Sequence, residues 1–295
     1  MDEHNLLAER FETHRGHLRT VAYRMLGSLN DADDAVQETW LRLNRSDTSE
    51  VENLAGWLTK VVARVCLDML RSRTARRDDP VGWVVPEPAP TGRQTDPEQE
   101  ALLAESVGLA LLVVLERLTP AERIAFVLHD MFAVPFDEIA AIVERSTDSA
   151  KKLASRARQR VKGTAAVPDV DLFWHRQVVD AFLAAARGRD LNGLLAVLDP
   201  GVVRRAERAL LPPGTPTVVR GARAVVEETV VLAEKARFAE VALVNGVPGI
   251  LVAPGGRLLI ALTITITDGK ITEYEVIADP ARLRQLDLAV LPQVP

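Results

Sequence analysis

Five prolines between residues 78 and 99 (Pro80, Pro86, Pro88, Pro90 and Pro97) divide this chain before any helix or strand is considered. Proline fixes φ and has no N–H, so a run this dense suits neither a helix interior nor a sheet interior. It reads as an extended, semi-rigid connector. The 295 residues must then fold as separate bodies on either side of 79–99, and they suffice for two or three small domains with their own cores. Trp83, Val84 and Val85 are out of place in a solvated tether and predict that it lies against a folded surface.

The charges are segregated in the same way. The net charge of −5 argues against a nucleic-acid binder, but residues 57–77 carry six basic side chains against Asp68 alone. Residues 144–162 carry seven against Glu144 and Asp148, whereas residues 1–56 hold eleven acidic side chains and six basic ones. Two locally positive surfaces result, and local field is what attracts phosphates. Apolar residues at 47% and charged residues at 26% are ordinary for a soluble globular protein. The single cysteine, Cys66, leaves no disulfide framework or cysteine zinc cluster; it sits in an apolar helical run and reads as core in a reducing compartment. No signal peptide and no membrane-spanning apolar run is evident, so a cytoplasmic protein without a membrane partner is expected.

Residues 11–26 have a helical apolar stripe stopped by Gly27, and Asn30 is the expected cap of the next helix, DADDAVQETWLRL. Ala32, Val36, Trp40 and Leu43 form its core face. Asp33, Asp34, Gln37, Glu38 and Leu41 form another face, either a solvated acidic strip or a docking surface for a basic partner. After a polar loop at 46–53 comes a helix with Leu58, Val61, Val62, Val65, Met69 and Leu70 inward. Lys60, Arg64, Arg71, Arg73, Arg76 and Arg77 are its cations, with Asp68 placed to pair with Arg64 or Arg71. Cations near a helix C-terminus offset its dipole, but six exceed that need and suggest phosphate contact. Helices are expected at 100–118 and at 121–129, the latter capped by Thr119 with Pro120 at its first position.

Residues 136–161 join two short helices by a tight turn. Phe136, Ile139, Ala140 and Val143 line the first; Ser146 or Thr147 caps the second, whose buried face is Ala150, Leu153, Ala157 and Val161. The other face presents Lys151, Lys152, Ser155, Arg156, Arg158 and Gln159. This is the pattern of a helix-turn-helix, and equally of a helical hairpin with a solvated basic face.

Beyond Gly163 the pattern changes. Helices are expected at 170–186, 191–198 and 222–235, and strands at 217–220, 239–244, 250–252, 257–267 and 270–277, with Asp199-Pro200 ending a helix. Asp268-Gly269 marks a primed hairpin turn, and the alternation of LTITITDGKITEYEV predicts one buried sheet face. An α+β domain on a curved antiparallel sheet follows.

DADDAVQETWLRL, AGWLTKVVARVCLDMLRSRTARR, ERLTPAERIAFVLHD, FDEIAAIV and KKLASRAR, in this order, resemble a bacterial extracytoplasmic-function sigma factor over residues 8–162. The remainder is similar to the SnoaL-like extension of one subfamily. Trp83 to Pro88 approximate that subfamily's W-L-P-E-P linker; residues 253–257 and 279–283 approximate its D-G-G-G-R and N-P-D-K-L motifs. The resemblance implies a multidomain chain: two all-α sigma domains, a helical bundle at 1–78 and a helix-turn-helix at 100–165, then an α+β SnoaL-like cone at 166–295. It implies that Asp33, Asp34, Gln37, Glu38 and Leu41 dock on core RNA polymerase. The −10 promoter element would meet Trp57, Lys60, Arg64, Arg71, Arg73, Arg76 and Arg77, with the loop at 46–53 as base pocket and Trp57 leaning to the core. The −35 element would meet Ser149, Lys151, Lys152, Ser155, Arg156 and Arg158. Related factors often carry arginine at the position of Lys151, and lysine lacks arginine's two-pronged fit to guanine. Trp83, Pro86, Glu87, Pro88, Gly255, Gly256, Arg257, Asp279 and Pro280 would mediate intramolecular regulation of the sigma domains.

No catalytic set, metal or cofactor is expected. His175 is the one histidine after residue 168, Asp268 is a turn residue, and Glu273 and Glu275 alternate with Tyr274 and should face solvent. Two other readings remain open at the level of sequence: a polymerase-independent DNA-binding regulator, and a C-terminal domain that takes a small-molecule ligand or has cyclase- or isomerase-like activity.

Overall fold

The computed structural model describes residues 3–46, 51–77, 108–208, 216–231 and 236–291. Their contacts form two compact units, Met1–Val107 with Leu115–Arg158 and Gly108–Val114 with Gln159–Pro295.

In the first unit, α1 (Glu3–Leu26), α2 (Leu29–Arg45) and α3 (Leu54–Arg77) make a three-helix bundle around Phe11, Leu18, Val21, Met25, Val36, Leu43, Leu58 and Val62. Gly27, at φ +74°, ends α1. The cap of α2 is Ser28, not Asn30: Ser28 is extended and its Oγ accepts from the N–H of Asp31. Because α1 ends so sharply at Gly27, the next helix starts two residues early and Asn30 already lies inside it. Cys66 is fully buried, as expected, and its thiol is pushed well above the usual range by burial. Val61 and Met69 are only half-buried, whereas Ala63 and Leu67 are covered, so α3 buries a wider face than one stripe.

Of α4 (Leu109–Glu116), residues up to Val114 belong to the second unit; the first takes in its end, α5 (Pro120–Phe126), a π turn at Val127–Met131, α6 (Phe136–Val143) and α7 (Thr147–Lys162) as far as Arg158. Thr119 and Glu122 form the anticipated capping box of α5, with Pro120 at its start. Of the helix expected at 100–118, residues 100–107 lie outside the described residues. Between α6 and α7 the chain turns through Glu144 at φ +57°, a conformation usually given to glycine. Ser146 then caps α7, its Oγ accepting from the N–H of Ser149 at 3.3 Å.

The second unit holds a seven-stranded sheet in the order β2-β1-β6-β5-β4-β3-β7. Its strands are β1 (Leu198–Ala206), β2 (Val218–Arg220), β3 (Ala239–Val244), β4 (Val247–Val252), β5 (Ile260–Thr267), β6 (Lys270–Ile277) and β7 (Leu288–Ala289). The sheet is antiparallel except for the parallel β1–β6 pair. β1 was not expected, because it runs through Asp199-Pro200. The register shifts between Leu198 and Val203, so the missing proline N–H falls in a bulge where no ladder bond is lost. The two tight hairpins, β5–β6 and β3–β4, turn through paired positive-φ residues, Asp268-Gly269 as anticipated and Asn245-Gly246 in addition.

Alternation along the strands sends side chains into two clusters. Ile250, Val252, Ile264 and Tyr274 meet Val179, Phe182 and Leu183 of α8 (Asp169–Gly188), Leu194 of α9 (Leu191–Val197) and Val225 of α10 (Ala222–Val231). Ala242, Val244, Leu251, Ala261 and Ile277 meet Ala110, Val113 and Val114 of α4 and Leu283 of α11 (Pro280–Gln285). Both faces of the central strands are therefore covered, where the β5–β6 alternation alone predicts one. The polar residues that set that pattern lie toward the turn, beyond the part covered by α4.

Candidate nucleic-acid interface

On α7, Ala150, Ala154 and Ala157 are buried and Lys151, Lys152, Ser155, Arg156 and Arg158 are exposed, as a recognition helix requires. Ser149 is half-buried, its Oγ 2.9 Å from that of Ser146, so it belongs to the turn. Arg158 donates from Nε to Asp130 at 2.5 Å, and Lys151 lies 3.9 Å from Asp148. Lys152 and Arg156 are the α7 cations most open to a ligand.

The cations of α3 are differently placed. Lys60 stands 3.2 Å from Glu138, Arg71 3.9 Å from Glu144, and Arg64 donates to the carbonyl of Ala141 at 3.4 Å. Arg73 pairs with Asp31 and reaches the carbonyl of Leu26, tying α3 to the α1–α2 corner. Asp68 faces Arg42 at 3.9 Å, not Arg64 or Arg71. Trp57 is half-buried, and Arg76 and Arg77 close the helix, their side chains outside the described residues. Glu138 and Glu144 were not singled out in the sequence; as isolated carboxylates on a short helix they carry no local signal.

On α2, Asp33 holds Arg19 at 2.7 Å and Glu38 holds Arg42 at 2.9 Å, while Asp34 and Gln37 are exposed. Leu41 is 39% exposed, an apolar residue beside the acidic face. Arg15, Asp33, Gln37 and Trp40 line a groove of about 540 Å³ there. The α2 face is thus charged and apolar at once, unlike a purely solvated strip.

In the second unit, Gly255 and Gly256 take φ values of +59° and +76° in a turn at Pro254–Gly256, followed by exposed Arg257. Asp279 caps α11 by accepting from the N–H of Arg282 at 2.8 Å, and Pro280 is its first residue. Trp83, Pro86, Glu87 and Pro88 lie outside the described residues. Glu273 and Glu275 are half-buried and ion-paired, with Arg205 at 2.5 Å and Arg282 at 2.9 Å, where solvation was expected. Arg205 comes from the neighbouring strand β1, where it lies opposite Glu275, and Arg282 from α11. His175 is half-buried on α8. Inside the sheet's curve, buried Arg204 bonds Glu228 and the carbonyl of Pro216, and the Tyr274 hydroxyl lies 3.2 Å from Thr229 Oγ1. Burial pushes the Tyr274 hydroxyl up to about 12. Among the described residues, no cluster of His, Cys, Asp and Glu is arranged to hold a metal, and no helix is long and apolar enough to cross a membrane.

Residues 10–76 match sigma-70 region 2 and residues 108–161 match sigma-70 region 4. Over 287 residues the chain is 41% identical to the ECF RNA polymerase sigma factor SigJ of Mycobacterium tuberculosis, spanning 92% of this chain and 91% of the relative. It is 34% identical over 295 residues to the probable ECF RNA polymerase sigma factor SigI of the same species, spanning 97% and 98%. The crystal structure of the M. tuberculosis extracytoplasmic function sigma factor SigJ is 36% identical and covers 94% of this chain and 98% of that one, with a TM-score of 0.44. Full-length identity of this order, together with both sigma-70 regions, makes the chain a member of the extracytoplasmic-function sigma factors, the promoter-specific initiation factors of RNA polymerase.

Proposed function

We propose that this factor divides its task by charge. The α2 face of Asp33, Asp34, Gln37, Glu38 and Leu41 docks on a basic surface of core polymerase. The α3 cations take the −10 element and help open it, and the exposed face of α7 takes the −35 element. The work is done in the cytoplasm, where the polymerase is. The carrying observation is the exposed basic face of α7 opposite three buried alanines, in one compact unit with an acidic α2 face that leaves Leu41 uncovered.

The C-terminal domain acts as a built-in regulator without chemistry of its own. Its support is the packing of Ala110, Val113 and Val114 against the sheet, together with the N–H of Val290 donating to the carbonyl of Val161 at 2.8 Å. Both ends of the sigma-70 region 4 segment are thereby anchored to the sheet, so a change in the sheet, by a ligand or a partner, is transmitted to the helix that reads −35. Binding of core polymerase by the Asp34→Lys/Leu41→Lys variant tests the docking face. Tenfold or greater loss with an unchanged circular dichroism spectrum is expected; undiminished core affinity contradicts the assignment.

A further inference from the structure

The proposed −35 surface includes a carboxylate that should repel DNA. Asp130 stands in the π turn that follows α5, and its Oδ1 accepts from Nε of Arg158 on α7 at 2.5 Å. A cation that faces phosphate gains no charge from an acidic neighbour, so the pair must do something else. Two local constraints place Asp130 there. A π turn closes from i to i+5, one residue later than an α-helix, and so swings its last residues away from the line of α5. His129 then fastens the turn: its Nδ1 donates to the carbonyl of Val134 at 3.1 Å, and its ring stacks on Phe136 at 3.9 Å. The N–H of Val134 in turn donates to the carbonyl of Leu128 at 2.9 Å. Asp130 therefore offers its carboxylate from a fixed backbone, with 24% of the side chain exposed.

Arg158 follows Lys151 by seven residues, nearly two full turns, so it shares the line of Lys151 about 10 Å farther along the helix. The first residues of a recognition helix reach base edges, and a cation this far along meets backbone phosphate, which fixes register without reading sequence. The pairing with Asp130 does not have the form of charge cancellation. A carboxylate that neutralises an arginine takes two of its N–H groups, as Glu12 takes Nε and Nη2 of Arg15 on α1. Arg158 gives up Nε alone, and 43% of its side chain stays exposed, so the donors of both Nη atoms remain for a ligand. We propose that Asp130 is a positioning residue for −35 binding: by holding Nε it sets the plane of the Arg158 guanidinium, so that the Nη groups meet a phosphate of the −35 duplex. The freedom of a long side chain is then given up on folding instead of on binding. This deepens the proposed function and rests on its assignment of α7 to the −35 element.

The two effects of a carboxylate beside DNA have opposite signs. As a bare charge Asp130 repels phosphate, so its removal should tighten binding and steepen the salt dependence. As a positioning group its removal should weaken binding. Polymerase holoenzyme assembled with the full chain is titrated with a fluorescent duplex carrying the −35 element. Asp130→Ala should raise Kd about three- to tenfold, whereas Asp130→Asn, which keeps an Oδ1 acceptor for Nε, should stay within about twofold of wild type. Arg158→Ala should weaken binding alike on matched and mismatched −35 sequences and lower the salt slope by about 1. In the Arg158→Ala background, Asp130→Ala should have no further effect. Tighter or unchanged binding by Asp130→Ala overturns the proposal. So does an equal loss in both backgrounds, which would make Asp130 a support of the turn alone, and so does full affinity in Arg158→Ala beside a loss in Arg156→Ala. Full affinity in both arginine variants removes α7 from DNA, and the proposed function fails with the positioning role.

Discussion

Glu144 occupies the left-handed position between α6 and α7 that a helix-turn-helix commonly gives to glycine. An L-residue there costs about 1–2 kcal/mol of backbone strain, and its one visible return is the 3.9 Å approach to Arg71. Glycine relieves the strain but adds freedom to the unfolded chain. Glu144→Gly should therefore raise the unfolding free energy by about 0.5–1 kcal/mol in urea titration; a decrease would show that the Arg71 contact outweighs the backbone. Tyr274 gives a pH-dependent test. An unfolded tyrosine ionises near pH 10, whereas burial holds this one protonated to about 12. The unfolded chain loses the proton first, so the stability contributed is complete below pH 10 and disappears as pH rises to about 12, up to about 3 kcal/mol. Alkaline unfolding of Tyr274→Phe, compared with wild type, should show a shallower decline across that interval. Equal slopes would mean that the Tyr274 hydroxyl is not buried in solution.

At the scale of the element, α7 carries the sharpest prediction. Lys151→Ala and Arg156→Ala should each weaken −35 binding by about 1–3 kcal/mol in a duplex titration, and neither should alter the affinity for core polymerase. Unaltered −35 binding in both would remove α7 from the interface. This helix was legible in the sequence because its small buried residues and its cations alternate at a helical period. The capping box at Thr119 and the Asp268-Gly269 hairpin were legible for a similar reason, each being a local signal with a local cause. β1 was not legible, because Pro200 speaks against a strand and only the bulge explains its presence. Asn245-Gly246 is a local hairpin signal of the same kind. The partners of Lys60, Arg64 and Arg71 could not be read at all: they lie about seventy or more residues away, and no periodicity encodes a contact across that separation.

For the whole molecule, the sheet's second face decides how far the domains can be treated as separable modules. Ala110, Val113 and Val114 complete an apolar cluster with Ala242, Leu251 and Ala261, and Glu240 accepts from the N–H of Ala110 at 2.8 Å. Glu240→Ala should destabilise this packing by about 1–3 kcal/mol, read as an earlier unfolding transition, and should lower −35 affinity if the sheet positions the region 4 segment. An unchanged −35 affinity beside the expected loss of stability would confine the C-terminal domain to a structural part. Charge placement along the chain shows in the sequence which helices carry which sign, but the covering of α3 by α6 emerges only when the chain is folded. The most direct test of the division by charge is a cryo-electron-microscopy reconstruction of the full chain with core polymerase on its promoter. The account predicts α7 in the major groove at −35, α3 lying on −10 phosphates, and the Asp34 and Leu41 face against the polymerase. An α2 face turned to solvent, or α3 away from the −10 phosphates in the promoter-bound complex, would contradict it.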